Sequence, residues 1–173
     1  MIRRLLPLAI LVVVLVIAAL GLGRDPTTLP STLVGKKAPA LQASLLGDGT
    51  AGGQAELQRL LPRDRPSLLN VWASWCTACL QEHGDLEQLA ASGVTIFGLN
   101  YKDDPKAASA WLSTRGNPYQ AVFLDPRGVV GRDWGVYGVP ETYLIDQQGV
   151  VRQRIVGPID VAALRQQLAS LAR

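Results

Sequence analysis

Cysteine is nearly absent from this chain. There are two in 173 residues, together with one histidine, one methionine and two phenylalanines. With no second Cys or His pair, a four-ligand zinc site is not expected. No basic cluster occurs, and aromatic and basic residues do not interleave. Arg3 and Arg4 supply two of the three net positive charges, so the charge gives no argument for nucleic acid, which is excluded as a partner. Internal repeats and low-complexity segments are missing too. Nothing resembles a nicotinamide or flavin site, and the Pro-x-x-x-Thr-x-x-Cys context of a thiol peroxidase is not found. No cysteine stands near the N-terminus to carry a lipid.

One long apolar run is present. Leu5 to Leu22 carries no charge and follows Met1-Ile2-Arg3-Arg4. At about 1.5 Å per residue it is just long enough to span a bilayer, with the arginines on the cytoplasmic side. A cleaved signal is the competing reading, with Ala19-Leu20-Gly21 a passable cleavage site, although the run exceeds the usual apolar core of about 7–15 residues. The expectation is therefore a cytoplasmic stub (1–4), a transmembrane anchor (5–22), a tether (23–34) and an exported domain (35–173). The domain is of ordinary size for a single core.

Within the domain, Leu41–Leu46 reads as a short strand, Gly47–Thr50 as a turn and Glu56–Leu61 as a turn or two of helix. Ser67–Ala73 is apolar on both sides of the pleat, as in a buried central strand. A helix follows from Cys76 to about Ala91, closed by Gly93. Val94–Asn100 is a second buried strand. Asp103 or Asp104 caps a helix with Pro105 at its first position, running to about Thr114. Ala121–Leu124 is a third strand and Val129–Trp134 a short helix. Thr142–Asp146 and Val150–Ile155 form a hairpin, and Asp160 caps a closing helix, Val161–Leu171. The order predicts a small mixed sheet covered by helices, with its chemistry at the carboxyl ends of the strands.

Both cysteines lie at that position, in Trp75-Cys76-Thr77-Ala78-Cys79. Thiols at i and i+3 at a helix start close a disulfide with little backbone movement. The first also meets the unpaired N–H groups of the helix, which stabilise a thiolate. Cys76 is thus the expected nucleophile and Cys79, one turn further in, the resolving thiol. Haem attachment by this chain is excluded because Leu80, not histidine, follows Cys79. His83 reads as a surface helix residue, Trp72 as core, and Trp111 and Trp134 as anchors of the later helices. Trp75 is expected to cover the disulfide and to form part of a docking surface.

Three separated segments resemble the membrane-anchored thiol:disulfide interchange proteins of cytochrome c biogenesis, the DsbE/CcmG family. They are Trp75-Cys76-x-x-Cys79 running into Glu82-His83, Gly135-Val136-Tyr137-Gly138-Val139-Pro140-Glu141-Thr142, and Gly35-Lys36-Lys37-Ala38-Pro39 after the anchor. The second is the discriminating one. Thr77-Ala78 departs from the family habit of a proline between the cysteines. The resemblance implies an α/β, thioredoxin-like three-layer fold with a mixed central sheet, preceded by one transmembrane helix. It also implies that Pro140 is cis and faces the cysteine pair, although from its own context a strand-initiating trans proline is equally open. Val139 would then offer its backbone to an extended substrate, with Tyr137 lining the groove or packing. Glu82 and Glu141, if near the sulfurs, raise the thiol pKa and poise the pair as a reductant, with a carboxylate handling the Cys79 proton. The implied protein needs no cofactor beyond its redox-active disulfide. It sits in a bacterial inner membrane with the domain in the periplasm, reduces apocytochrome c Cys-x-x-Cys-His disulfides, and draws electrons from a transmembrane thiol transporter. A general oxidase or isomerase and a non-redox apocytochrome-binding module are the alternatives.

Overall fold

The computed structural model describes residues 31–47 and 54–171. The expected anchor (5–22), the tether up to residue 30, and turn residues 48–50 lie outside them. Among the described residues no helix is long and apolar enough to cross a membrane.

The centre of the domain is β3, Ser67–Trp72, all six residues of which are buried. Alternation splits its side chains between two cores: Leu68 and Trp72 join one, Leu69 and Val71 the other. Parallel to it runs β4, Thr95–Tyr101, and beyond that β5, Ala121–Asp125. On its other side β6, Glu141–Ile145, is antiparallel, and β7, Val151–Val156, completes the hairpin. The strand order β5-β4-β3-β6-β7 is the mixed sheet expected.

Helices α2 (Thr77–Ala91), α3 (Pro105–Arg115) and α5 (Val161–Leu171) supply apolar residues to the first core. The second core is closed by the short helices α1 (Leu57–Leu60) and α4 (Val129–Asp133) and a two-residue pairing of β1 (Gln42–Ala43) with β2 (Ala55–Glu56). The expected strand over Leu41–Leu46 is thus shorter, because the chain leaves β2 after Ala43 to follow β5. There Leu45 bridges Phe123, Leu46 N–H donates to Val122 O, and Leu124 N–H donates to Ser44 O. At the other edge, Gly35 N–H donates to Val151 O and Val151 N–H to Lys36 O. The N-terminal segment thus engages part of both edge strands, Val122–Leu124 of β5 and Val151 of β7, which shortens the backbone left free for edge-to-edge pairing.

The caps follow local chemistry. Asp104, not Asp103, is the N-cap of α3, accepting from Lys106 N–H and Ala107 N–H ahead of Pro105. Gly93 takes φ +90° after α2, a conformation that costs glycine no Cβ clash.

Candidate active site

The turn leaving β3 delivers Cys76 to the N-cap of α2. Its Sγ accepts the Cys79 N–H at 3.0 Å, and the two sulfurs are joined in a disulfide with Cα atoms 5.3 Å apart. A sulfur at a helix N-terminus receives both that amide and the positive end of the helix dipole, so the thiolate formed on reduction is stabilised there. Both cysteines are buried, but Cys76 lines an open depression of about 150 Å³ with Ser74, Trp75, Thr77, Leu80, Trp111 and Arg115. Trp75 is 58% exposed and Leu80 is also exposed, so two apolar side chains stand on the rim beside the attackable sulfur, together with the polar Ser74, Thr77 and Arg115. A larger depression of about 450 Å³, lined by Lys37, Arg63 and the Gln147–Gly149 turn among others, lies at the opposite ends of the strands. Size does not mark the site here; the sulfur chemistry does.

The turn is held from the next crossover. Asp103 Oδ2 accepts Ser74 N–H at 2.6 Å and Asn100 Nδ2–H at 2.8 Å, while Oδ1 accepts Ser74 Oγ–H at 2.8 Å and Asp104 N–H at 2.9 Å. Trp75 Nε1–H donates to Lys102 O at 3.0 Å. From sequence, Asp103 is expected only as a candidate helix cap. The neighbouring Asp104 fills that role, and the second carboxylate is left to organise the redox turn.

Glu82, one turn beyond Cys79 on the inner face of α2, is 1% exposed. Asn70 Nδ2 donates to its Oε1 at 2.9 Å and to Thr142 Oγ1 at 3.0 Å; Ile159 N–H donates to Oε2 at 3.2 Å, and Tyr119 O–H donates to Asn70 Oδ1 at 2.9 Å. Burial pushes the carboxyl up to about 7, against the lowering hydrogen bonds from Asn70 and Ile159, and the Asp85 charge adds to the rise. The Tyr119 hydroxyl is likewise pushed well above its ordinary value, by burial first and by Glu82 second. Asn70 and Glu82 belong to the same sheet face as both cysteines, since their neighbours Leu68, Trp72 and Leu86 share the core that contains Cys76 and Cys79.

The Val139–Pro140 bond is cis. Val71 pairs with Glu141, and extending that register by one places Pro140 beside Trp72, at the end of β3 from which the cysteine turn departs. Val139 packs against both cores, the one that holds the cysteines included, and among the described residues no hydrogen bond engages its backbone. Tyr137 is 80% exposed, and the Arg154 guanidinium carbon lies 4.9 Å from its ring centroid.

Glu141 departs from expectation. Alternation along β6 sends its side chain with Tyr143 and Ile145 to the second core, opposite the sulfurs. Oε1 accepts from Arg154 Nη2 at 2.7 Å, Tyr137 N–H at 2.9 Å and Gly138 N–H at 3.1 Å; Oε2 accepts from Arg154 Nε at 2.9 Å and Tyr143 O–H at 3.0 Å. An ion pair with Arg154 neutralises the charge that was expected to oppose thiolate formation. Burial opposes the Arg154 charge, yet the Glu141 hydrogen bonds and charge outweigh it and hold Arg154 above its ordinary value. His83 is also corrected. It is buried rather than on the surface, its Nε2 3.1 Å from Arg115 O and its ring edge-on to Trp111 at 4.5 Å. Trp72, Trp111 and Trp134 are buried as anchors. Among the described residues no group of three or more Cys, His, Asp or Glu is placed to hold a metal.

Known proteins resemble this chain in sequence and fold. The Redoxin family matches residues 33–168. The thiol:disulfide interchange protein DsbE of Pseudomonas aeruginosa is 46% identical over 96% of this chain and 91% of its own. The DsbE of Escherichia coli strain K12 is 42% identical over 86% of this chain and 79% of its own. A Chlorobium tepidum protein described as a DsbE thiol:disulfide interchange protein superposes with TM-score 0.63 at 28% identity, covering 79% of this chain and 96% of that one.

Proposed function

This chain belongs to the Redoxin family and, within it, to the DsbE thiol:disulfide interchange proteins, which makes it a disulfide oxidoreductase, and from that premise we propose that it works as a membrane-tethered periplasmic reductant of apocytochrome c disulfides. The observation carrying the proposal is the cysteine pair at the start of α2, beside a cis-proline loop with a free Val139 backbone and backed by a buried carboxylate that titrates near neutrality.

The steps follow from that placement. In the reduced protein the Cys76 thiolate attacks one sulfur of the client's disulfide; an S–S bond forms between Cys76 and the client, and the client's other sulfur departs as a thiol after taking a proton. Cys79 then loses its proton and attacks Cys76 Sγ. The mixed disulfide breaks, the client leaves with both thiols, and two electrons have passed to it while Cys76–Cys79 becomes the disulfide. Glu82 is the group that takes the Cys79 proton. With its carboxyl raised to about 7, it is near balance between base and acid at neutral pH. The client lies extended along the Tyr137–Pro140 loop, pairing with Val139. No bound cofactor enters these steps. Re-reduction comes from the dithiol of a membrane thiol transporter, which a reductant needs in an oxidising compartment. The apolar run at Leu5–Leu22 keeps the domain near it.

Two measurements test this. Equilibration of the full chain against glutathione or dithiothreitol should give a reduction potential near or below about −200 mV, whereas a value near about −120 mV hands the role to an oxidase. Cys79→Ser should accumulate a mixed disulfide between Cys76 and a Cys-x-x-Cys-His peptide on non-reducing gels. A Cys76→Ser variant that kept full activity would leave only a non-redox binding role.

A further inference from the structure

Glu141 and Arg154 make an ion pair whose side chains are 0% and 5% exposed, yet it lies on the sheet face turned away from the sulfurs. What the pair touches is the loop before the cis-proline. Glu141 Oε1 holds the N–H groups of Tyr137 and Gly138, while the backbone of the next residue, Val139, has no hydrogen-bond partner among the described residues. The fork of Arg154, bonded through both Nε and Nη2, fixes the carboxylate in the one orientation that receives those amides. The same guanidinium stacks on the Tyr137 ring and orders an aromatic platform that is otherwise in solvent.

We propose that Arg154 is a positioning residue for extended clients: through Glu141 and the Tyr137 ring it sets the shape of the Tyr137–Pro140 loop and so makes the protein favour disulfides in extended polypeptides over small disulfides. A small disulfide needs only access to Cys76 Sγ. An extended peptide needs the loop backbone and ring as well, which is where the selectivity arises. This inference rests on the reading of the chain as a reductant of polypeptide disulfides.

The test uses the reduced full chain and the variants Arg154→Lys, which keeps the charge without the fork, and Arg154→Gln. Three oxidants are compared by stopped-flow tryptophan fluorescence. They are an extended peptide carrying a central Cys-Ala-Ala-Cys-His disulfide, an unrelated extended peptide disulfide without histidine, and 5,5′-dithiobis(2-nitrobenzoic acid). Half-saturation for both peptides should rise about tenfold in Arg154→Gln, the equivalent of one good charge-assisted contact, and part of the way in Arg154→Lys. The limiting rate, the rate with the small disulfide and the equilibrium constant with glutathione should stay within about twofold of the parent. Parallel loss with all three oxidants, a shifted glutathione equilibrium, or unchanged peptide half-saturation would each overturn the inference. If Arg154→Gln does not fold, Arg154→Lys carries the comparison. A parent protein that reduces the unrelated peptide but not the histidine-containing one sinks the apocytochrome reading, while the loop is still tested on the first.

Discussion

Replacing Glu82 with glutamine isolates the cost of an ionised carboxylate inside the first core. The folded protein holds this carboxyl near 7 against an ordinary 4.5, a difference worth about 3 kcal/mol at roughly 1.4 kcal/mol per pKa unit. Between pH 4.5 and 7 the folded state binds more protons at this position than the unfolded chain does. Stability from this group is therefore complete below about pH 4.5, falls as pH rises through the window, and is flat above about pH 7. Glutamine cannot ionise but keeps an oxygen for Asn70 or Ile159. Urea unfolding of the oxidised chain at intervals from pH 4 to 8.5 should show the stability gap between Glu82→Gln and the parent moving by about 3 kcal/mol toward the variant across the window. Parallel pH curves would refute the argument, because they would mean that Glu82 ionises in the core without penalty. The same variant should also slow release of the mixed disulfide at pH 7.5 by about a hundredfold, the lower end of what loss of a general base costs.

Substitutions at two further positions probe the supports of the site. Asp103→Ala removes four hydrogen bonds from the redox turn and its surroundings and should cost about 3 kcal/mol in chemical denaturation, with faster amide exchange at Ser74. Asp103→Asn should fall between, and equality of the asparagine variant with the parent would show that the charge is immaterial. Gly98→Ala would place a Cβ 2.9 Å from Trp72 Nε1 and 3.1 Å from Tyr119 Cγ. Trp72 and Tyr119 stack with ring centroids 5.5 Å apart, and displacing them should cost about 1–3 kcal/mol in thermal or urea unfolding and alter the near-ultraviolet circular dichroism of the tryptophans. An unchanged aromatic signal would argue against the packing.

The strands and caps were readable because local chemistry decides them: Ser67–Trp72 is apolar on both faces, Pro105 and Asp104 announce a helix start, and Gly93 ends one. The cysteine pair and the cis-proline loop were readable as motifs. The positions that escaped are those whose neighbours come from far along the chain. His83 sits between Glu82 and Gly84 in a polar stretch that looks solvated, yet α2 turns both Glu82 and His83 inward, where Asn70, Ile159 and Trp111 receive them. Glu141 is next to Pro140 in sequence, but strand alternation alone, read from Tyr143 and Ile145, would have sent it to the other face. Its partner Arg154 stands opposite Tyr143 in the hairpin, diagonal to Glu141, so a register drawn from the Gln147–Gly149 turn was the one available signal. Asp103 had none, since its target Ser74 lies on an earlier crossover.

That crossover contact bears on traffic through the protein. Ser74 and Trp75 are fastened to Lys102 and Asp103, and the rest of the turn rides on α2, so removal of the sulfur–sulfur link leaves the other fastenings in place. None of these fastenings depends on the disulfide, so the reduced form is expected to keep the outline of the oxidised one. Under the proposed reductant role, a donor arriving with electrons and a client arriving to collect them would occupy the same patch in turn, and neither could wait on the surface while the other is served. An excess of client would then delay its own reduction by keeping the donor away, and the ratio of the two visitors, more than the affinity of either, would govern throughput.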